Sequence, residues 1–231
     1  MKRIITVDDF GISPETNAAI RKLISLGVVD RVAVMPHGTI SPDDIRFLLD
    51  SGIRIDIHLD RNAEILPERK LSDGFFVRTA SFLGKYRSES SAKKVRNVWE
   101  EQLRMFRELF GKTPDGLNSH EHVHFFPPYF PILLDIAKRH GIGHIRFGRR
   151  RSDSFRLVAL ALDILRFLNR NRFQVSGLET SDYLVSADWI PEFDIIRHGE
   201  SFPEDVSIEY IFHPERDEEF RYLEKYASLR K

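Results

Sequence analysis

The chain has 231 residues, 42 % hydrophobic and 30 % charged, a balance that supports a packed core and argues against disorder. Its 35 Lys and Arg match 35 Asp and Glu, so no net field favours nucleic acid or an anionic membrane, and binding must come from a local site. Cysteine is absent, which excludes disulfides, thiolate zinc fingers, iron–sulfur clusters and Cys nucleophiles, and leaves histidine and carboxylate as metal ligands. The first apolar run, residues 4–7 with Thr6 inside it, is too short for a secretory signal. No window holds 18 uninterrupted apolar residues, so a cytoplasmic protein without membrane or nucleic-acid partners is expected.

Short apolar runs alternate with stretches of helical period, the pattern of βα units on a largely parallel sheet. Residues 3–7 form a candidate strand; Ser13 can cap and Pro14 open a helix with Ile20, Leu23 and Ile24 on one face, closed by Gly27. A second strand is expected at 31–35, and a second helix at 41–52 with its own Ser-Pro start and Gly end. Residues 53–59 alternate, placing Ile53, Ile55, Ile57 and Leu59 on one face and Arg54, Asp56 and His58 on the other. Residues 60–90 read as a long polar loop over the site, followed by a helix at 92–110 that Gly111 ends. A strand at 114–126 runs into a histidine-rich turn, Pro127 and Pro128 start a helix reaching Gly141, and 143–147 is another strand. A basic turn and an apolar helix occupy 148–170, 171–205 carry no clear pattern, and a buried strand at 207–214 precedes a closing helix at 216–231. With no repeat, low-complexity tract or Gly/Ser linker, one domain over 1–231 is expected.

In parallel α/β folds the loops at the carboxyl ends of strands build the site. Those ends carry Asp8 and Asp9, His58, the run His120, His122 and His124, and His213. Adjacent acids repel and raise each other's pKa unless a cation or donor compensates, and a divalent metal removes that conflict. In an extended chain the three imidazoles of H-x-H-x-H project to one face. Each feature has a plainer reading: a helix-start acid pair, a satisfied half-buried His58, a strand-ending His213-Pro214 turn. Their joint occurrence at strand ends argues for chemistry. One carboxylate and two imidazoles leave coordination positions open for water and substrate; imidazole suits Zn, Fe or Co, while carboxylate with waters accepts Mg or Mn, and the sequence does not choose.

These motifs resemble the YdjC-like carbohydrate deacetylases, the family of chitooligosaccharide deacetylase. The matching pieces are "VDDFGIS" at 7–13, "IHL" at 57–59, "NSHEHVH" at 118–124 and "FHP" at 212–214, in the family's order and spacing over most of the chain. The resemblance implies a distorted TIM-like (β/α) barrel, metal-dependent removal of an acetyl group from an N-acetylated amino sugar, and a homodimer. It implies Asp9, His58 and His120 as metal ligands and Asp8 as the base, with a swap of the two aspartates open. It puts Mg2+ first and leaves Zn2+ possible. His213, or else His124, is the candidate acid for the leaving amine; His122 and His124 are assigned to orientation or substrate contact, and Arg146 to a sugar or carboxylate contact. Three departures stand out: Asn118 where the family has Asp, Asp56 and Asp60 as extra charge around His58, and a shorter C-terminal part. The rivals are another metal-dependent amidohydrolase or phosphoesterase, a carbohydrate-binding barrel without catalysis, and a receiver-like Mg-binding signalling domain with Asp56 as phosphoacceptor.

Overall fold

The computed structural model describes residues 1–61, 89–150, 157–190 and 193–229. Six parallel strands form one sheet in the order β4-β3-β2-β1-β6-β5. They are β1 Lys2–Phe10, β2 Arg31–Val34, β3 Arg54–Leu59, β4 Leu117–Ser119, β5 Tyr183–Ser186 and β6 Ser207–Phe212. The helices are α1 Pro14–Ser25, α2 Pro42–Asp50, α3 Glu89–Phe110, α4 Phe130–Arg139, α5 Leu157–Gln174, the short α6 Ile195–Gly199 and α7 Asp217–Leu229.

The helix starts follow local chemistry. Ser13 Oγ accepts from Thr16 N–H at 3.1 Å to cap α1, and Ser41 and Asp44 cap each other's backbone at the start of α2, each helix opening on a proline. The strands are buried on both faces, with Ile5, Val7, Val32, Val34, Ile55, Ile57, Ile208 and Phe212 in one apolar cluster with α1, α3 and α4.

The expected strand at 143–147 is not a strand but the closure of the sheet. Residues 144–149 bridge both edges: Leu117 of β4 pairs with Ile145, and Arg149 pairs with Tyr183 of β5. Arg146 N–H donates to the Leu117 carbonyl at 3.0 Å and Leu184 N–H to that of Arg149 at 2.8 Å. The result is a distorted barrel closed by irregular chain. Gly148 permits the close approach, since a Cβ there would lie 2.8 Å from the Tyr183 carbonyl carbon.

The barrel interior is polar. Thr6, Arg31, Asp56, Glu209 and Arg146 are all buried. Arg31 grips Asp56 through Nε at 2.8 Å and Nη2 at 2.6 Å, beneath Gly116, where any Cβ would strike that pair. A carboxylate so enclosed cannot accept a phosphoryl group from solvent, which removes the receiver reading of Asp56. The long loop read over 60–90 lies almost wholly outside the described residues, apart from Asp60, Arg61 and the first residues of α3. In the unpatterned stretch 171–205 the structure finds the end of α5, the four-residue β5 and α6. No helix among the described residues is long and apolar enough to cross a membrane.

Candidate active site and metal centre

Strand β1 runs past the expected residue 7 to Phe10, so the acid pair lies within the strand. Val7 pairs with Val32 and Phe10 with Val34, three steps against two, so β1 carries a bulge at Asp8 and Asp9. Neighbours in a regular strand point to opposite faces. Here Asp9 takes φ 66, a left-handed conformation, and both carboxylates are buried. Gly11 follows at φ 104, where a Cβ would sit 2.7 Å from the Met35 carbonyl oxygen, and its N–H donates to Asn17 Oδ1 at 2.7 Å. This turn leads the chain out of the barrel into α1.

Asp9 meets the histidines. Its Oδ1 lies 3.2 Å from His58 Nε2 and 2.9 Å from His120 Nδ1, and the three ligand atoms fall within 4.8 Å of one another. The two rings meet edge to face, centroids 5.5 Å apart. Asn118, next to His58 in register across β3 and β4, accepts from His58 Nδ1. With Nδ1 so engaged, Nε2 is left to face the Asp9 carboxylate, an arrangement that a divalent cation between them can bridge. The amide of Asn118 thus supplies the orienting acceptor for which the family pattern has a carboxylate. These donors fit a divalent metal ion. Burial works against charge on Asp9, but His120 and His58 hold its carboxyl well below the ordinary range. Burial likewise opposes charge on His120, which Asp9, with Asp60 and Glu121, holds up to about 9.

Asp8, also buried, has a separate partner. Arg146 Nη1 and Nη2 donate to its two oxygens at 2.7 and 2.8 Å, an end-on fork, while Arg146 Nε donates to Glu209 Oε1 at 3.0 Å. Burial would raise the Asp8 pKa, but Arg146, with His58 and His213, drives it far below the ordinary carboxylate value. Arg146 is only 1 % exposed with its guanidinium committed to two carboxylates, so the expected sugar contact is corrected: it holds Asp8 from behind. Nothing in the local sequence shows this pairing, because the partners are 138 residues apart.

The H-x-H-x-H run is not extended. Chain after Ser119 enters a 3-10 segment, His120–Phe125, with Glu121 at φ 52 and His122 at φ 53, so the three imidazoles do not share a strand face. His124 is fully buried: Nε2 donates to the Arg146 carbonyl at 2.9 Å and Nδ1 accepts from Ser119 Oγ at 2.7 Å. Burial and His122 push its pKa well down. His124 is therefore a neutral brace between β4 and the closing segment, neither an acid nor a substrate contact. His122 is half-buried, and its ring is pushed down to about 3 by burial and by Arg146.

His213 follows β6. Its backbone N–H donates to Glu219 Oε2 at 2.7 Å, and its Nδ1 lies 3.6 Å from that oxygen, an ion-pair rather than a hydrogen-bond distance. Burial opposes the charged ring, yet Glu219, Asp9 and Asp8 hold it up to about 9, so it carries a proton at neutral pH. Four acids not singled out from the sequence surround it or the centre: Glu209, Glu219, Asp188 and Glu215. Asp188 accepts from Ser186 Oγ at 2.5 Å and pairs with Arg216 at 3.1 Å. Glu215 is pushed up to about 7 by burial and by Asp9. The available signal was position: Glu209 is a lone charge inside an apolar strand, and Glu215 and Glu219 follow a strand-ending His-Pro.

The fold and site define an α/β barrel protein with a candidate metal centre at the carboxyl ends of its strands. The chain belongs to the YdjC-like protein family, whose model matches residues 2–229. It is 26 % identical over 160 residues to carbohydrate deacetylases of Mus musculus and Homo sapiens, 65 % of this chain and 52 % and 50 % of those proteins. The chain thus spans about half the length of these curated relatives. Among solved structures it resembles an Enterococcus faecalis V583 protein whose proposed role is cellobiose-phosphate cleavage, with TM-score 0.64, 20 % identity, and 92 % of this chain and 80 % of that one covered; this likeness bears on the fold.

Proposed function

We propose that this chain is a metal-dependent carbohydrate deacetylase that hydrolyses the N-acetyl amide of an amino sugar or oligosaccharide. The observation that carries the reading is the division of labour around the bulge in β1: Asp9 gathered with His58 and His120, Asp8 held apart by Arg146, His213 charged beside both. Asp9, His58 and His120 would hold a divalent ion, Mg2+ by family resemblance with Zn2+ the alternative favoured by two imidazoles. Such an ion supplies Lewis acidity for the acetyl carbonyl and acidifies water.

The side chains perform the proton transfers. Asp8 accepts the proton of the attacking water through the lone pairs that Arg146 leaves open, since a carboxylate offers about four acceptor sites and the fork uses two. The depressed pKa makes Asp8 a weak base but keeps it ionised and oriented. His213 gives its proton to the leaving nitrogen. His122, half-buried beside these groups, contacts the substrate. We propose also that residues 1–231 form one domain and that the enzyme is a cytoplasmic homodimer acting on a small-molecule sugar.

The test is acetate release from N-acetylated mono- and oligosaccharides, phosphorylated ones included, with bound metal measured in parallel. Asp8→Asn is expected to keep metal and lose turnover, and His120→Ala to lose both. Metal loss in the first with retention in the second would reverse the assignment, and activity surviving exhaustive chelation would reject it. The same panel extended to phosphate esters decides against the phosphoesterase alternative.

A further inference from the structure

Glu209 lies in the middle of β6, only 1 % exposed, inside the barrel. Its Oε1 accepts from Arg146 Nε at 3.0 Å and from Thr6 Oγ1 at 3.1 Å, while its Oε2 is buried without a hydrogen-bond partner among the described residues. The neighbouring Arg31 donates its two hydrogen bonds to Asp56, so the contact that Glu209 makes with a guanidinium is the one to Arg146 Nε. Arg146 already has such a partner in Asp8. Glu209 adds a second buried carboxylate to one guanidinium, a costly surplus when one oxygen goes unpaired.

What it adds is orientation. A guanidinium held only by its Nη fork can rock with its long side chain; a second carboxylate on Nε pins the other edge and sets the plane in which the fork meets Asp8. We propose that Glu209 is a positioning residue for the base, acting through Arg146 to hold the Asp8 carboxylate at the angle from which it receives the water proton. The inference rests on reading Asp8 as the base. It places the support of the base on the strand that leads to the acid, since His213 directly follows β6.

Glu209→Gln, an isosteric change, is expected to lower kcat by on the order of 10- to 100-fold, as small misplacements of a catalytic group do, with KM unchanged. A Co2+ titration is expected to show unaltered metal binding. In an Arg146→Lys background, where the fork is gone, Glu209→Gln is expected to cause no further loss. Independent losses in that cycle, or a folded Glu209→Gln enzyme with wild-type kcat, would overturn the proposal. A readout free of activity uses 15N-labelled wild-type protein: the Nε–H of Arg146 is expected to exchange with water far more slowly than surface arginines, and equal exchange overturns the proposal even should Glu209→Gln fail to fold. A wild-type chain that releases no acetate would defeat the deacetylase reading while leaving this exchange measurement to judge Glu209.

Discussion

At the scale of single residues, the acid pair of β1 shows how one backbone irregularity separates two like charges. The bulge and the left-handed Asp9 leave both carboxylates buried while giving each its own partners, Arg146 for Asp8 and the imidazoles for Asp9. The same reasoning gives His213 a pH signature. Its folded pKa lies above the ordinary histidine value, near 9, so the ring is charged below that pH and the donated proton disappears as pH rises through it. Turnover of the wild-type enzyme is expected to fall along an alkaline limb near pH 9. In His213→Gln, kcat/KM is expected to drop by about 10² to 10⁴ and that limb to vanish from the pH–rate profile.

At the scale of elements, the turn from β1 into α1 is the place where a small change is felt most. Gly11 at φ 104, packed against the Met35 carbonyl, admits no side chain. Gly11→Ala is expected to cost about 1–3 kcal/mol by backbone strain and to loosen metal binding through Asp9, both readable by urea denaturation and metal titration. Ser41, whose hydroxyl caps α2 in a reciprocal box with Asp44, makes the contrasting case. Ser41→Ala is expected to cost about 1 kcal/mol in the same denaturation with metal affinity intact, because α2 carries no residue of the site.

At the scale of the molecule, the candidate metal ligands come from β1, from β3 and from the chain just after β4, so an ion there ties separate parts of the barrel together. Adding the divalent ion at roughly a hundred times its Kd is expected to stabilise the protein by about 2.7 kcal/mol, seen as a raised thermal midpoint. That rise is expected to be absent in His120→Ala and to be reversed by chelation.

Much of this architecture was legible in the order of residues. Apolar runs alternating with helical periods gave the βα succession, Ser-Pro starts and glycine ends gave α1 and α2, and the strand ends offered Asp8, Asp9, His58, the run 120–124 and His213, from which the family resemblance singled out Asp9, His58 and His120. These signals are local, carried by propensity, periodicity and capping within a dozen residues. The sequence by itself also located Arg146 and the H-x-H-x-H run but not their work. Two left-handed residues scatter the imidazoles, and closure of the barrel by 144–149 sets Arg146 behind Asp8 and beside Glu209. Which charges meet inside the barrel depends on chain segments far apart in sequence packing at one spot, and only the tertiary structure decides that.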